Sequence, residues 1–163
     1  MNAYVIVLRI LHVGAGIFWA GSILFLLGFL IPTARAVGPA AGPFMSRLTG
    51  EARFGEIAGA AGVLTILSGT LLYWHDYGEV IPFNAAMTGF AIGGVAAIAL
   101  WIVGVFMLRP ANEKLAALGA RAAQGEDVGA EMAQTMAVRD RLIPVMSILV
   151  VVAILTMAIS RYL

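Results

Sequence analysis

Residues 4–31, YVIVLRILHVGAGIFWAGSILFLLGFLI, decide how the rest of the chain is read. This run carries one permanent charge, Arg9, and one histidine, His12. A hydrocarbon core about 30 Å thick needs ~20 apolar residues in a helix, so the run spans a bilayer. Three further runs of the same kind occur, over residues 55–74, 82–108 and 143–162. Composition agrees, because 61% of the 163 residues are hydrophobic and 12% are charged, against about 25% charged in a soluble domain. The reading is all-α: one integral membrane domain over residues 1–163, a membrane-spanning four-helix bundle whose first partner is the lipid bilayer.

The residues between the runs give them ends and a direction. Pro32 is expected to close the first span, His75-Asp76-Tyr77-Gly78 the second and Arg109-Pro110 the third. Pro82 suits a first helical turn and Ile143-Pro144 opens the fourth span. Residues 109–142 are polar, and their Gly125-Glu126-Asp127-Val128-Gly129 centre predicts a turn between two short helices that carry spans three and four onward as a hairpin. Basic residues are asymmetric. Arg35, Arg47 and Arg53 lie in the first loop, and Arg109, Lys114, Arg121, Arg139 and Arg141 in the third. Only Arg9 and Arg161 fall on the other side, where Asp76 and Glu79 sit. Loops rich in Lys and Arg stay in the cytoplasm. The hairpin is therefore expected in the cytoplasm and both termini outside it, in a membrane of the bacterial inner type. Ala34-Arg35-Ala36 resembles a cleavage site, but the apolar run before it is too long for a signal peptide, so it reads as a retained helix.

Several function classes drop out. A net charge of +1 gives no basis for nucleic-acid binding. The absence of cysteine removes disulfides, iron–sulfur clusters and thiolate metal sites. No nucleophile–base pair, no paired carboxylates within a span and no phosphate-binding glycine loop occur, which argues against an autonomous hydrolase or ATP-driven pump. Gly55/Gly59, Ala58/Gly62 and Gly89/Gly93 are small-xxx-small pairs that let helices approach closely.

Ionisable groups in or beside a span are functional candidates, because exposing them to lipid is costly. They are Arg9, His12, Glu56 and His75. Glu56 follows Arg53 by three residues at a helix start, which suits a local ion pair. The histidines are placed by counting. His12 is 23 positions from Arg35 and His75 is 22 from Arg53, so both are expected roughly 33–35 Å from these inner markers. Counting back 22 positions from Arg109 reaches Met87. Two imidazoles and a thioether at one level would suit haem or copper. Arg9, His12, Gly16 and Trp19 share one helical stripe, which offers a cation, a ligand, a gap and an aromatic wall. Thr65, Ser68 and His75 share a face of span two. In the plainer reading, His12 hydrogen-bonds to a neighbouring helix, His75 caps span two beside Asp76, and Met87 is packing.

Leu11-His12, six residues, then Trp19-Ala20-Gly21 and a long apolar run to Pro32 form a pattern that resembles the copper-resistance CopD family and its four-helix membrane relatives. The likeness extends through Arg53-Phe54 to Ser68-Gly69-Thr70, over about the first 80 residues. The histidine–tryptophan spacing is also similar to HemJ, the membrane protoporphyrinogen oxidase, which uses a first-span histidine with haem. The chain differs from HemJ in lacking Pro-Arg soon after the tryptophan and a lysine near span two, since Lys114 is its only lysine. The resemblance implies a haem b-binding protein, an electron-transfer or accessory subunit that meets other membrane subunits or a redox partner. His12 would be the first iron ligand. Copper handling by His12, His75 and Met87 is the alternative, and a cofactor-free structural subunit is the third.

Overall fold

The computed structural model describes residues 2–78 and 84–163, and every regular element among them is helical. Helix α1 (Ala3–Phe25) is capped by the Asn2 side chain and continues through a π-turn (Leu26–Leu30) into α2 (Ile31–Val37). A 3-10 turn (Gly38–Ala41) leads to the short α3 (Gly42–Thr49), and then α4 (Phe54–Tyr77) returns. Helix α5 (Ala85–Val103) passes through a second π-turn (Gly104–Leu108) into α6 (Arg109–Ala123). Helix α7 (Gly129–Ile159) ends in a 3-10 turn, Ser160–Tyr162.

Four of these helical runs are long and apolar enough to cross a bilayer: Ala3–Val37, Phe54–Tyr77, Ala85–Ala123 and Gly129–Tyr162. Only 17–28% of each apolar window is buried within the chain. So much apolar helix surface, with its backbone satisfied internally, is stable only in lipid or against another membrane helix. The chain is an integral membrane protein.

Pro32 does not end the first helix as the sequence suggested, whereas the continuation of spans three and four past Pro110 and Pro144 is as expected. The helix runs through Pro32, Pro110 and Pro144. Proline lacks an N–H and crowds the carbonyl four residues earlier. At the first two sites a wider turn precedes the proline, closed by Ile31 N–H to the Leu26 carbonyl and Arg109 N–H to the Gly104 carbonyl. The widened ring moves the crowded carbonyl aside and lets the helix go on. Pro82 lies outside the described residues, as does Glu79. Helix α5 begins at Ala85, where the Asn84 side chain accepts from Met87 N–H at 2.7 Å. This Asn84 cap is a start signal that the sequence reading passed over.

The hairpin is as expected. Gly125 takes φ +88° between α6 and α7, a conformation that favours glycine. Across the turn Arg121 bonds Glu126 at 2.8 Å and Glu131 at 3.4 Å. The hydrogen bond and charge of Glu126 hold the Arg121 guanidinium above its ordinary pKa. Leu118 and Val128 close the hairpin on itself.

Helices α1 and α4 run antiparallel in one register: Tyr4 meets His75, His12 meets Gly69, Gly16 meets Thr65 and Trp19 meets Gly62. Helices α5 and α7 pair likewise, through Gly89 against Ser160 and Gly93 against Thr156 and Met157. Both termini therefore share one end of the bundle and the hairpin lies at the other. The apolar core sits toward the hairpin end: Trp19, Ile23, Leu27, Ile31, Leu100, Leu108, Leu142, Met146 and Val150. Toward the termini, the two helix pairs are held instead by glycine contacts. Of the small-xxx-small pairs, Gly89/Gly93 and Gly62 are used within the chain, whereas Gly55 and Gly59 face open space.

Candidate functional site

On α1 and the π-turn that follows it, the buried or half-buried positions Val5, Leu8, His12, Gly16, Trp19, Ile23 and Leu27 recur at three- and four-residue steps, which makes one inward seam. His12 is the polar member of that seam. Its Nδ1 lies 2.8 Å from the Thr65 carbonyl of α4. A carbonyl can only accept, so Nδ1 carries the proton, and whenever the ring is neutral Nε2 is the bare nitrogen. Nε2 has no hydrogen bond among the described residues, and no fully buried side-chain nitrogen there lacks a partner, so Nε2 is open to its surroundings.

Gly69 makes this approach possible. A Cβ there would stand 2.6 Å from His12 Cε1 and 2.8 Å from Nδ1, well inside contact distance. The buried Thr65 and Ser68 turn their hydroxyls to their own helix, Thr65 Oγ1 to the Ala61 carbonyl at 2.8 Å and Ser68 Oγ to the Leu64 carbonyl at 2.5 Å. The polar stripe foreseen on span two thus exists at Thr65 and Ser68. Its hydroxyls are satisfied locally, and the group offered to α1 is a backbone carbonyl.

No family model matches this chain, and neither do curated proteins or solved structures. Any functional assignment therefore rests on the chain's own residues.

The structure does not bring His75 to His12. His75 is exposed in the last turn of α4, with Nδ1 2.9 Å from Asp76 Oδ1 and its ring centroid 6.5 Å from that of Tyr4. Gly69 marks the His12 level, and His75 is six residues beyond it, roughly 9 Å nearer the termini end. The matched depths failed because the inner markers are not level. The α1/α4 register, carried down, sets Arg53 beside the Leu26–Leu30 turn, about two helical turns short of Arg35.

The other candidates separate too. Met87 precedes Trp101 by fourteen residues, and Trp101 packs on Gly62, so Met87 is level with the end of α4 rather than with His12. Arg9 lies 3.7 Å from Asp76 and is mostly exposed. Trp19 is buried in the core, pressed with Trp101 onto Gly62 a full two turns from His12, and forms no wall beside it. Glu56 pairs with Arg53 as expected, accepting from its Nε at 2.6 Å.

The donor set can be weighed against the groups that the sequence suggested. A haem iron held by one imidazole needs an unprotonated Nε2 on a ring fixed through Nδ1, and His12 supplies that. A second imidazole on the opposite face is not supplied by His75. For a compact metal ion, no group of three His, Asp or Glu side chains converges among the described residues.

Proposed function

We propose that the protein is a haem b-binding subunit of a bacterial inner membrane in which His12 is the single histidine ligand. One observation carries this reading: His12 Nδ1–H is committed to the Thr65 carbonyl, which in the neutral ring leaves Nε2 without a proton and without a partner among the described residues. Ligating histidines are characteristically held this way, because the second hydrogen bond sets the tautomer and raises the basicity of the donor nitrogen. Haem would supply one-electron chemistry, and the chain would orient the ring through Thr65 and Gly69. The role is electron transfer or accessory service to a larger membrane assembly. The arginine-rich hairpin end is assigned to the cytoplasm and both termini to the outside.

The test is the visible spectrum of protein purified from haem-replete membranes. A Soret band that disappears in His12→Ala and survives in His75→Ala supports the reading. Absence of the band from the folded wild-type protein overturns it. The His12–Thr65 bond would then be a helix-pairing contact in a cofactor-free membrane subunit, a reading that the snug fit of the ring on Gly69 already favours as the alternative.

A further inference from the structure

Five arginines lie within about one helical turn of the ends of the apolar runs at the hairpin end: Arg35, Arg53, Arg109, Arg139 and Arg141. They are not equally neutralised. Arg53 has Glu56 to itself, and Arg109 has Glu113 at 2.8 Å. Arg35 of α2 and Arg139 of α7 instead share one oxygen, Oδ1 of Asp140, with Arg139 3.4 Å away. Arg141, two residues further along α7, has no ion-pair partner among the described residues. Where α2 meets α7, two guanidinium groups therefore share one carboxylate, with Arg141 close by in sequence.

Arg139 makes this surplus more than a solvated fringe. Its side chain is only 18% exposed, so its charge is drawn against the protein and cannot be fully hydrated. A guanidinium held there with one long contact to a shared oxygen keeps most of its donors free. The surroundings also point to a lipid. Outward and above the cluster, Phe25 and Phe29 of the first helical run and Val145 and Ile148 of α7 are exposed apolar side chains that lipid would cover.

We propose that this junction binds an anionic diacyl phospholipid, with its phosphate on Arg35 and Arg139 and its acyl chains on the exposed apolar surface of the neighbouring helices. Arg141 adds to the attracting field, and Asp140 acts as the internal counter-ion that holds the two arginines side by side. The site is independent of His12 and of any cofactor.

The experiment uses the whole chain in mild detergent, titrated with phosphatidylglycerol, phosphatidylcholine or inorganic phosphate. Thermal midpoint and bound lipid in native mass spectra are both read. Phosphatidylglycerol alone should raise the midpoint and persist in the spectrum. Arg35→Gln and Arg139→Gln should each weaken it about fivefold. Arg47→Gln, on the exposed α3, should leave binding unchanged. Because the first two variants also disturb the Asp140 contact, Asp140→Asn serves as a second test: it weakens the same ion pairs by removing the carboxylate charge, yet should tighten phosphatidylglycerol binding. Equal effects of both lipids, an unchanged affinity in the Arg35/Arg139 double variant, or full reproduction by inorganic phosphate would each overturn the proposal.

Discussion

His12 and Gly69 are locked in register: the imidazole occupies the space that any side chain at position 69 would need. The ring reaches the Thr65 carbonyl at 2.8 Å because α4 presents bare backbone at that height. Gly69→Ala should therefore push the ring away and break the bond. A loss of about 1–3 kcal/mol is expected from overpacking and the stranded ring nitrogen. Thermal unfolding in detergent measures it, and Gly14→Ala, which meets open space on the same pair of helices, should lose much less. Equal losses would show that the contact contributes nothing.

The second helix pair offers a sharper contrast. A Cβ at Gly93 would lie 2.6 Å from Thr156 Oγ1 and close to Met157, whereas Gly59 meets nothing within 4 Å. Gly93→Val should separate α5 from α7 and lower stability by roughly 1–3 kcal/mol. Gly59→Ala should be close to neutral. The comparison is read as thermal midpoints of the two variants against wild type.

Trp101 donates its Nε1–H to the Gly59 carbonyl at 3.1 Å, across from α5 to α4. Trp101→Phe keeps most of the apolar contact and removes the donor. About 1 kcal/mol should be lost, the net worth of one such bond. A variant as stable as wild type would mean that the carbonyl finds no benefit in its second donor.

The hairpin turn should exchange its amides quickly. Residues 124–128 lack regular helix bonding and are mostly exposed, while Leu118 and Val128 anchor the helices on either side. Hydrogen exchange followed by mass spectrometry should show fast labelling at Gly125–Asp127 and slower labelling of α6 and α7. Protection of the turn in the isolated protein would contradict this.

Membrane orientation is tested by fusions. A reporter after Leu163 should be active outside the cytoplasm, and one inserted at Gly125 inside it. The reverse pattern would invert the assignment and place the lipid-binding arginines in the other leaflet.

Four spans and a polar hairpin turning at Gly125 were legible in the sequence. Apolar run length, charge and glycine act locally, so each can be read from neighbouring residues alone. The Arg53–Glu56 pair was legible for the same reason, being a one-turn contact. What passed unread depended on how helices meet. Pro32 looked like a terminus because its local cost is large, yet a widened turn ahead of it absorbs that cost. Counting from Arg35 and Arg53 puts His12 and His75 level only where the two arginines mark one plane. Only the pairing of α1 with α4 shows that Arg35 extends two turns past Arg53, and that register is set by Trp19 and His12 seating on Gly62 and Gly69. Residue type told which groups could ligate, pair or pack. The depth at which each glycine gap receives a neighbouring side chain decided which of them meet, because close packing admits one register and excludes those a single turn away.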